Sequence, residues 1–243
     1  LALDTTQELE DVLQLSISIS TRVTFASHQN DVPLIRELSI TNVGEEKFEN
    51  LSLRLDVDPD FVVSKEWTID SIEPESTIHI ADRDTALNGS LLMGLNEAIR
   101  GTATFSLKVS GENYLDHQEE IELLSRYEWG GLDHMPELLA AYVMPNDPAI
   151  DSVLKTASDI LRRAGQDSSI DGYISGERRR VWQLSAAIWN AIQGLNLSYA
   201  VTPSSFEKIG QKVRLPTQIL EKRLGNCLDL TLLFAGILEQ SGL

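Results

Sequence analysis

One cysteine, Cys227, in 243 residues excludes an intrachain disulfide framework and any cysteine-rich metal site. Histidine is scarce as well: His28, His79, His117 and His134 show no paired spacing such as H-x-x-x-H, so neither zinc nor another metal is expected. No apolar run approaches the ~20 residues of a bilayer-spanning helix, and no membrane association is expected. The opening residues, LALDTTQELE, lack the basic and apolar regions of a signal peptide. They also lack an initiator Met, which suggests a segment of a longer polypeptide, read as cytoplasmic. A phosphate-binding G-x-x-x-x-G-K-[ST] loop is missing, so no ATPase chemistry and no cofactor is assigned to these residues.

Basic residues are few: 20 Lys and Arg stand against 37 Asp and Glu, a net charge of −17. The imbalance is concentrated. Residues 1–130 hold 25 acidic and 9 basic side chains, whereas residues 131–243 hold 12 and 11. The acidic part is a poor partner for nucleic acid, whose phosphates need Lys and Arg. Its acid serves solubility and keeps strand edges unpaired. Two compositions predict two domains, 1–130 and 131–243.

In the first domain Leu13, Leu15, Ile17 and Ile19 alternate with Gln14, Ser16 and Ser18, the period of a half-buried strand. Comparable runs lie at 34–43, 51–57, 67–69, 77–80, 102–109 and 120–124. Seven or eight short strands predict an all-β, immunoglobulin-like sandwich. Asp56, Asp58 and Asp60 in D-V-D-P-D resemble the start of a calcium loop. The sixth and twelfth positions are Phe61 and Trp67 rather than Gly and Glu, so a turn at Pro59 is expected instead.

The second domain predicts helices. Pro136–Val143 is a short one with Pro in its first turn. Asn146 or Asp147 caps another over Pro148–Arg163, with Ile150, Leu154, Ala157 and Leu161 on one stripe. A third spans Gly176–Leu195, with Val181, Leu184, Ile188 and Ile192 inward and Trp182 and Trp189 as core anchors. Arg178, Arg179 and Arg180 are expected as a solvated helix end. A short extended piece, Leu197–Val201, and an extended lead-in, Gln211–Pro216, precede a helix from Thr217 to Arg223. The last helix starts at Cys227, is apolar on nearly every face and is expected to be buried. The fold class is therefore multi-domain α+β, a β-sandwich followed by a mainly α-helical region.

Cys227 stands behind Gly225 and Asn226 at the first turn of that helix, where free N–H groups and the helix dipole favour a thiolate. Arg223, Gly225, Cys227 and Asp229, with Ser241-Gly242 at the exit, resemble the nucleophile motif of the transglutaminase-like branch of the papain-like cysteine enzymes. The run from Leu215 to Leu233 is similar to a module of large bacterial proteins. In those proteins a β-sandwich and a transglutaminase-like region precede a superfamily-one DNA helicase and nuclease portion. The resemblance implies Cys227 as nucleophile, with a His and an Asp on later strands. All four histidines precede Cys227, so no activity is expected of this segment alone, and Asp229 is assigned a structural role. The resemblance further implies a scaffold or interaction module whose partner is the rest of the parent polypeptide or another protein. DNA would be reached only through other domains. The alternative it implies is a thiol protease or amidase completed beyond residue 243.

Overall fold

A computed structural model of the chain describes residues 12–202 and 206–243, so the reading of the first ten residues lies outside it. The chain divides into two compact units at Arg126/Tyr127.

In the first unit β1 (Leu13–Ile19), β2 (Arg22–Val23), β3 (Ile35–Asn42), β4 (Phe48–Asp58), β5 (Lys65–Ile72), β6 (Ser76–His79), β7 (Ile99–Val109) and β8 (Glu112–Leu123) form two sheets. One has the order β1-β3-β6 and the other β2-β8-β7-β4-β5. The pairing is antiparallel except for β2, which runs parallel to β8. The alternation in the sequence fixes which face is buried. Leu51, Leu53 and Leu55 of β4 and Ala103, Phe105 and Leu107 of β7 turn inward together with Leu38 and Ile40 of β3. Two short helices interrupt the strands. α1 (Phe25–Gln29) is closed by a capping box between Thr24 and Ser27, and α2 (Gly89–Gly94) is capped by Asn88, whose side chain accepts from Leu91 N–H. In the D-V-D-P-D segment Asp56 accepts from Arg54 and Ser64, which occupies its oxygens locally.

The second unit contains β9 (Glu128–Trp129), a 3₁₀ segment (Pro136–Tyr142), α3 (Pro148–Arg163), α4 (Arg178–Gln193), β10 (Ser198–Tyr199), α5 (Phe206–Ile209), β11 (Gln211–Lys212), α6 (Pro216–Lys222), β12 (Leu224–Gly225) and α7 (Cys227–Gln240). Asp147 caps α3 by accepting from Ala149 N–H at 2.9 Å, and it also accepts from the Thr217 hydroxyl at 2.5 Å. Ile150, Leu154, Ala157 and Leu161 of α3 meet Leu184 and Ile188 of α4, Ile219 of α6, and Leu233 and Ile237 of α7 in one core.

The structure corrects the expected fold class. Helix and strand each take about 32% of the chain, which is mixed α/β with several sheets, one of them curled into a half-barrel. An immunoglobulin-like sandwich followed by a mainly α-helical region is not what forms. The reason is local. In the second unit β9 pairs with β11 and β10 with β12 through strands of two residues, too short to carry a periodicity. Pairing with Gln211–Lys212 also places Glu128–Trp129 with the second unit rather than the first.

Two side-chain expectations change as well. Trp182 and Trp189 are 70% and 53% exposed, because each lies about 100° around α4 from the buried stripe of Leu184, Ile188 and Ile192. Arg180 is buried instead of solvated. It donates to the Asp171 carboxylate at 2.8 Å and to the carbonyl oxygens of Asp167 and Ser169.

Candidate functional site

Cys227 is the first residue of α7 and is exposed. The turn before it holds it in place. Asn226 caps the helix, its Oδ1 accepting from Asp229 N–H at 2.9 Å, while Asp229 Oδ2 accepts from Asn226 N–H at 2.9 Å. This reciprocal box is the form that Asn-x-x-Asp takes at a helix start. Asp229 is fully buried and takes two further bonds, from Arg214 N–H at 2.8 Å and the Arg214 guanidinium at 2.9 Å. Its charge is matched and its oxygens accept three bonds, one at Oδ1 and two at Oδ2, so it acts as the brace of the loop rather than as a reacting group.

Behind the cap lies Gln211, 6% exposed, whose Oε1 accepts from Asn226 Nδ2 at 2.9 Å. Gln211 and Trp129 face each other across the β9–β11 pair. The Nε2 of Gln211 and the Nε1 of buried Trp129 have no partner among the described residues. The approach of these strands depends on Gly210, which lies in the left-handed region at φ +88. A Cβ there would stand 1.9 Å from the carbonyl oxygen of Trp129.

On the other side β10 runs parallel to β12 with Tyr199 opposite Gly225, and Ala200 N–H donates to Gly225 O at 2.9 Å. This pairing brings the Tyr199 phenol to Cys227. The hydrogen bond with the Cys227 side chain, then its charge and partial desolvation, raise the phenol above its ordinary range. The backbone N–H of Cys227, bonded to the phenolic oxygen, works in the opposite direction.

From Cys227 the outer face of α7 continues through Leu230, Thr231, Phe234 and Leu238. These residues form one side of an open apolar groove of about 780 Å³, with Trp189, Ile192 and Leu197 on the other. Trp189 and Phe234 lie with ring centroids 5.6 Å apart. α7 is thus not buried all round, since Leu232, Leu233, Gly236 and Ile237 face the core while this flank stays open. Gly236 allows the Met144 backbone to pass 3.4 Å from the place a Cβ would take.

His28, His79 and His117 belong to the first unit, so the second contains one histidine, His134. Among the described residues no group of three or more His, Cys, Asp or Glu side chains converges to hold a metal, and no helix is long and apolar enough to cross a membrane. Sequence reasoning identified Cys227 and the loop before it. It missed Tyr199, Gln211 and Trp129, which carry no local signal and lie in two-residue strand pairs, and Arg214, which bonds Asp229 from the segment after β11. Asn226 and Asp229 could have been found as a capping box. Comparison with known proteins returns no matching family model and no matching curated protein.

Proposed function

We propose that this chain is an interaction module of a larger, cytoplasmic bacterial protein related to DNA helicases, and that its second unit carries the cysteine segment of a transglutaminase-like region. The observation that carries the reading is the groove between α4 and α7, where Trp189 and Phe234 present an open aromatic pair. Apolar surface of this kind on an otherwise charged protein is the mark of a contact site. The partner is the rest of the parent polypeptide or another protein. DNA is reached through other domains, since the −17 charge opposes phosphate. The test is calorimetric titration of the chain with the remainder of its parent. Binding is expected, and Trp189→Glu with Phe234→Glu should weaken it by about 10- to 100-fold, the loss of a buried aromatic anchor. Affinity unchanged in that double variant would refute the reading.

The exposed thiol at the first turn of α7 favours a second reading, a cysteine hydrolase or amidase with Cys227 as nucleophile. The sulfur would attack an acyl carbon, forming a C–S bond. The bond to the leaving amine or alcohol would break, and the proton lost by the thiol would end on that leaving group. Water would then hydrolyse the thioester. The base and its orienting acid would come from beyond residue 243, as the resemblance implies. Incubation with p-nitrophenyl acetate checks this. An acetyl group on Cys227, with p-nitrophenolate released in equal amount, is expected. Its absence on a thiol that iodoacetamide alkylates fully would remove the reading.

A further inference from the structure

The outer side of α4 has the spacing of a helix–helix seam. Arg179, Trp182, Ala186, Trp189 and Gln193 follow one another at steps of three and four residues, the interval at which one helix meets another along its length. Trp182 and Trp189, 70% and 53% exposed, stand two turns apart, about 10 Å along the axis, with the small Ala186 between them. That interval is a notch for one aliphatic side chain, a hole of the kind a knob from a second helix fills. Apolar surface flanks it on both sides. Beside Trp182 and Ala186 a groove of about 350 Å³ opens toward Ile160 of α3 and Ala164 at its end, and beside Trp189 lies the groove to α7.

The charge at one end of the seam says what kind of helix fits. Arg178 and Arg179 begin α4, whose first turn has no acidic residue and whose N-cap, Glu177, makes no side-chain cap bond. Two cations therefore stand at the positive end of the helix dipole, which disfavours them. Arg180 is matched by Asp171, but Arg178 and Arg179 form no ion pair among the described residues. Ala164 lines the same groove as Arg179, which brings Arg163, the last residue of α3, toward that end.

We propose that this face of α4 takes an amphipathic helix of a partner protein, with aliphatic side chains along the seam and carboxylates at the end that meets Arg178 and Arg179. The inference rests on the contact-site reading and names the form and charge of the partner. A knob over Ala186 is covered by Trp182 on one side and Trp189 on the other, and the carboxylates supply the counter-charge that the first turn of α4 lacks. An extended strand matches this face poorly, since its side chains recur every two residues rather than at three and four. Nucleic acid could stack on the same tryptophans, but its phosphates meet a chain of net charge −17.

The probe is a synthetic alanine-rich helical peptide of about eighteen residues, free of aromatics, with leucines at the seam positions. Glutamates in its first and last turns present acid to the arginines in either orientation. A second peptide carries lysines in place of the glutamates. Binding to the whole chain is read from the blue shift of tryptophan emission as Trp182 and Trp189 are covered. In dilute salt the acidic peptide should bind about ten-fold tighter than the lysine peptide. Arg178→Glu/Arg179→Glu should reverse that order. Trp182→Glu, shown by circular dichroism to be folded, should weaken the acidic peptide by about 10- to 100-fold. Equal affinity of the two peptides for the wild type, no shift with either at millimolar concentration, or an affinity unchanged in Trp182→Glu overturns the proposal. So does an oligothymidylate that binds these tryptophans more tightly than the acidic peptide. The remainder of the parent polypeptide is titrated against the same variants. Loss of its binding in Trp189→Glu/Phe234→Glu but not in the arginine or Trp182 variants keeps the contact reading and overturns the helix. A charge-selective peptide with no binding of the remainder keeps the helix site and removes the parent polypeptide as its partner.

Discussion

Replacing Asp229 with Ala is the most demanding perturbation of the Cys227 loop. Its carboxylate accepts three hydrogen bonds from two residues: one from the Asn226 N–H, one from the Arg214 N–H and one from the Arg214 guanidinium. Truncation leaves the two backbone donors without an acceptor, at about 1–3 kcal/mol each when water cannot reach them. It also leaves the guanidinium without its counter-charge. The Arg214 side chain is 21% exposed and can partly rehydrate, which keeps the total within about 3–5 kcal/mol. Against the roughly 5–15 kcal/mol of an ordinary domain this is a large share. Urea unfolding followed by tryptophan fluorescence reports mainly on the second unit, which holds Trp129, Trp182 and Trp189 while the first holds Trp67. With a slope of about 2 kcal/mol per molar urea, the midpoint should fall by roughly 2 M. The double variant Arg214→Met/Asp229→Leu should recover part of the loss by removing the unpaired charge. It should not recover all, because the Asn226 and Arg214 N–H groups remain without acceptors. A shift below about 0.5 M for Asp229→Ala would refute the view that this carboxylate braces the loop.

Gly210→Ala should destabilise the second unit by about 3 kcal/mol or more, since a Cβ would collide with the Trp129 carbonyl at a backbone angle that favours glycine; thermal unfolding would show it, and an unchanged midpoint would contradict the close approach of β9 and β11. Tyr142 donates to the Glu128 carbonyl at 2.7 Å, and burial, with a smaller contribution from the Glu128 charge, pushes its phenol far above the ordinary range. Because the folded-state value is the higher one, its contribution is fully present below about pH 10 and is lost as pH rises beyond that. Stability of Tyr142→Phe should therefore fall less steeply than wild type between about pH 10 and 11.5, and parallel curves would count against the assignment. Cys227→Ala removes the bond and the charge that hold Tyr199 up, so ultraviolet titration of the tyrosines should show one phenol ionising at lower pH than in wild type. An identical titration would mean that the two side chains do not meet.

What the sequence by itself determined is what local chemistry can encode. Alternation in Leu51, Leu53 and Leu55 chose the buried face of β4, because a strand turns every second side chain to the same side. The stripe Ile150, Leu154, Ala157 and Leu161 and the cap at Asp147 defined α3 almost to the residue, because a helix repeats every 3.6 residues and its first N–H groups need an acceptor. The start of α7 at Cys227 was legible in the same way from Gly225-Asn226. Tertiary structure decided the rest. Neither Trp182 nor Trp189 has a neighbour in sequence that says whether another element will cover it, and in the structure both stay more than half exposed, Trp189 with Phe234 of α7 beside its ring. Arg180 looked like one of three solvated arginines until the loop containing Asp167, Ser169 and Asp171 folded over it. Pairs of two-residue strands bring Tyr199, Gln211 and Trp129 to the cysteine loop, and two residues have no period to read. A cysteine at a helix start is a local pattern of cap and side chain. The groups that face it are set by chain closure over tens of residues, so only the folded chain could place them.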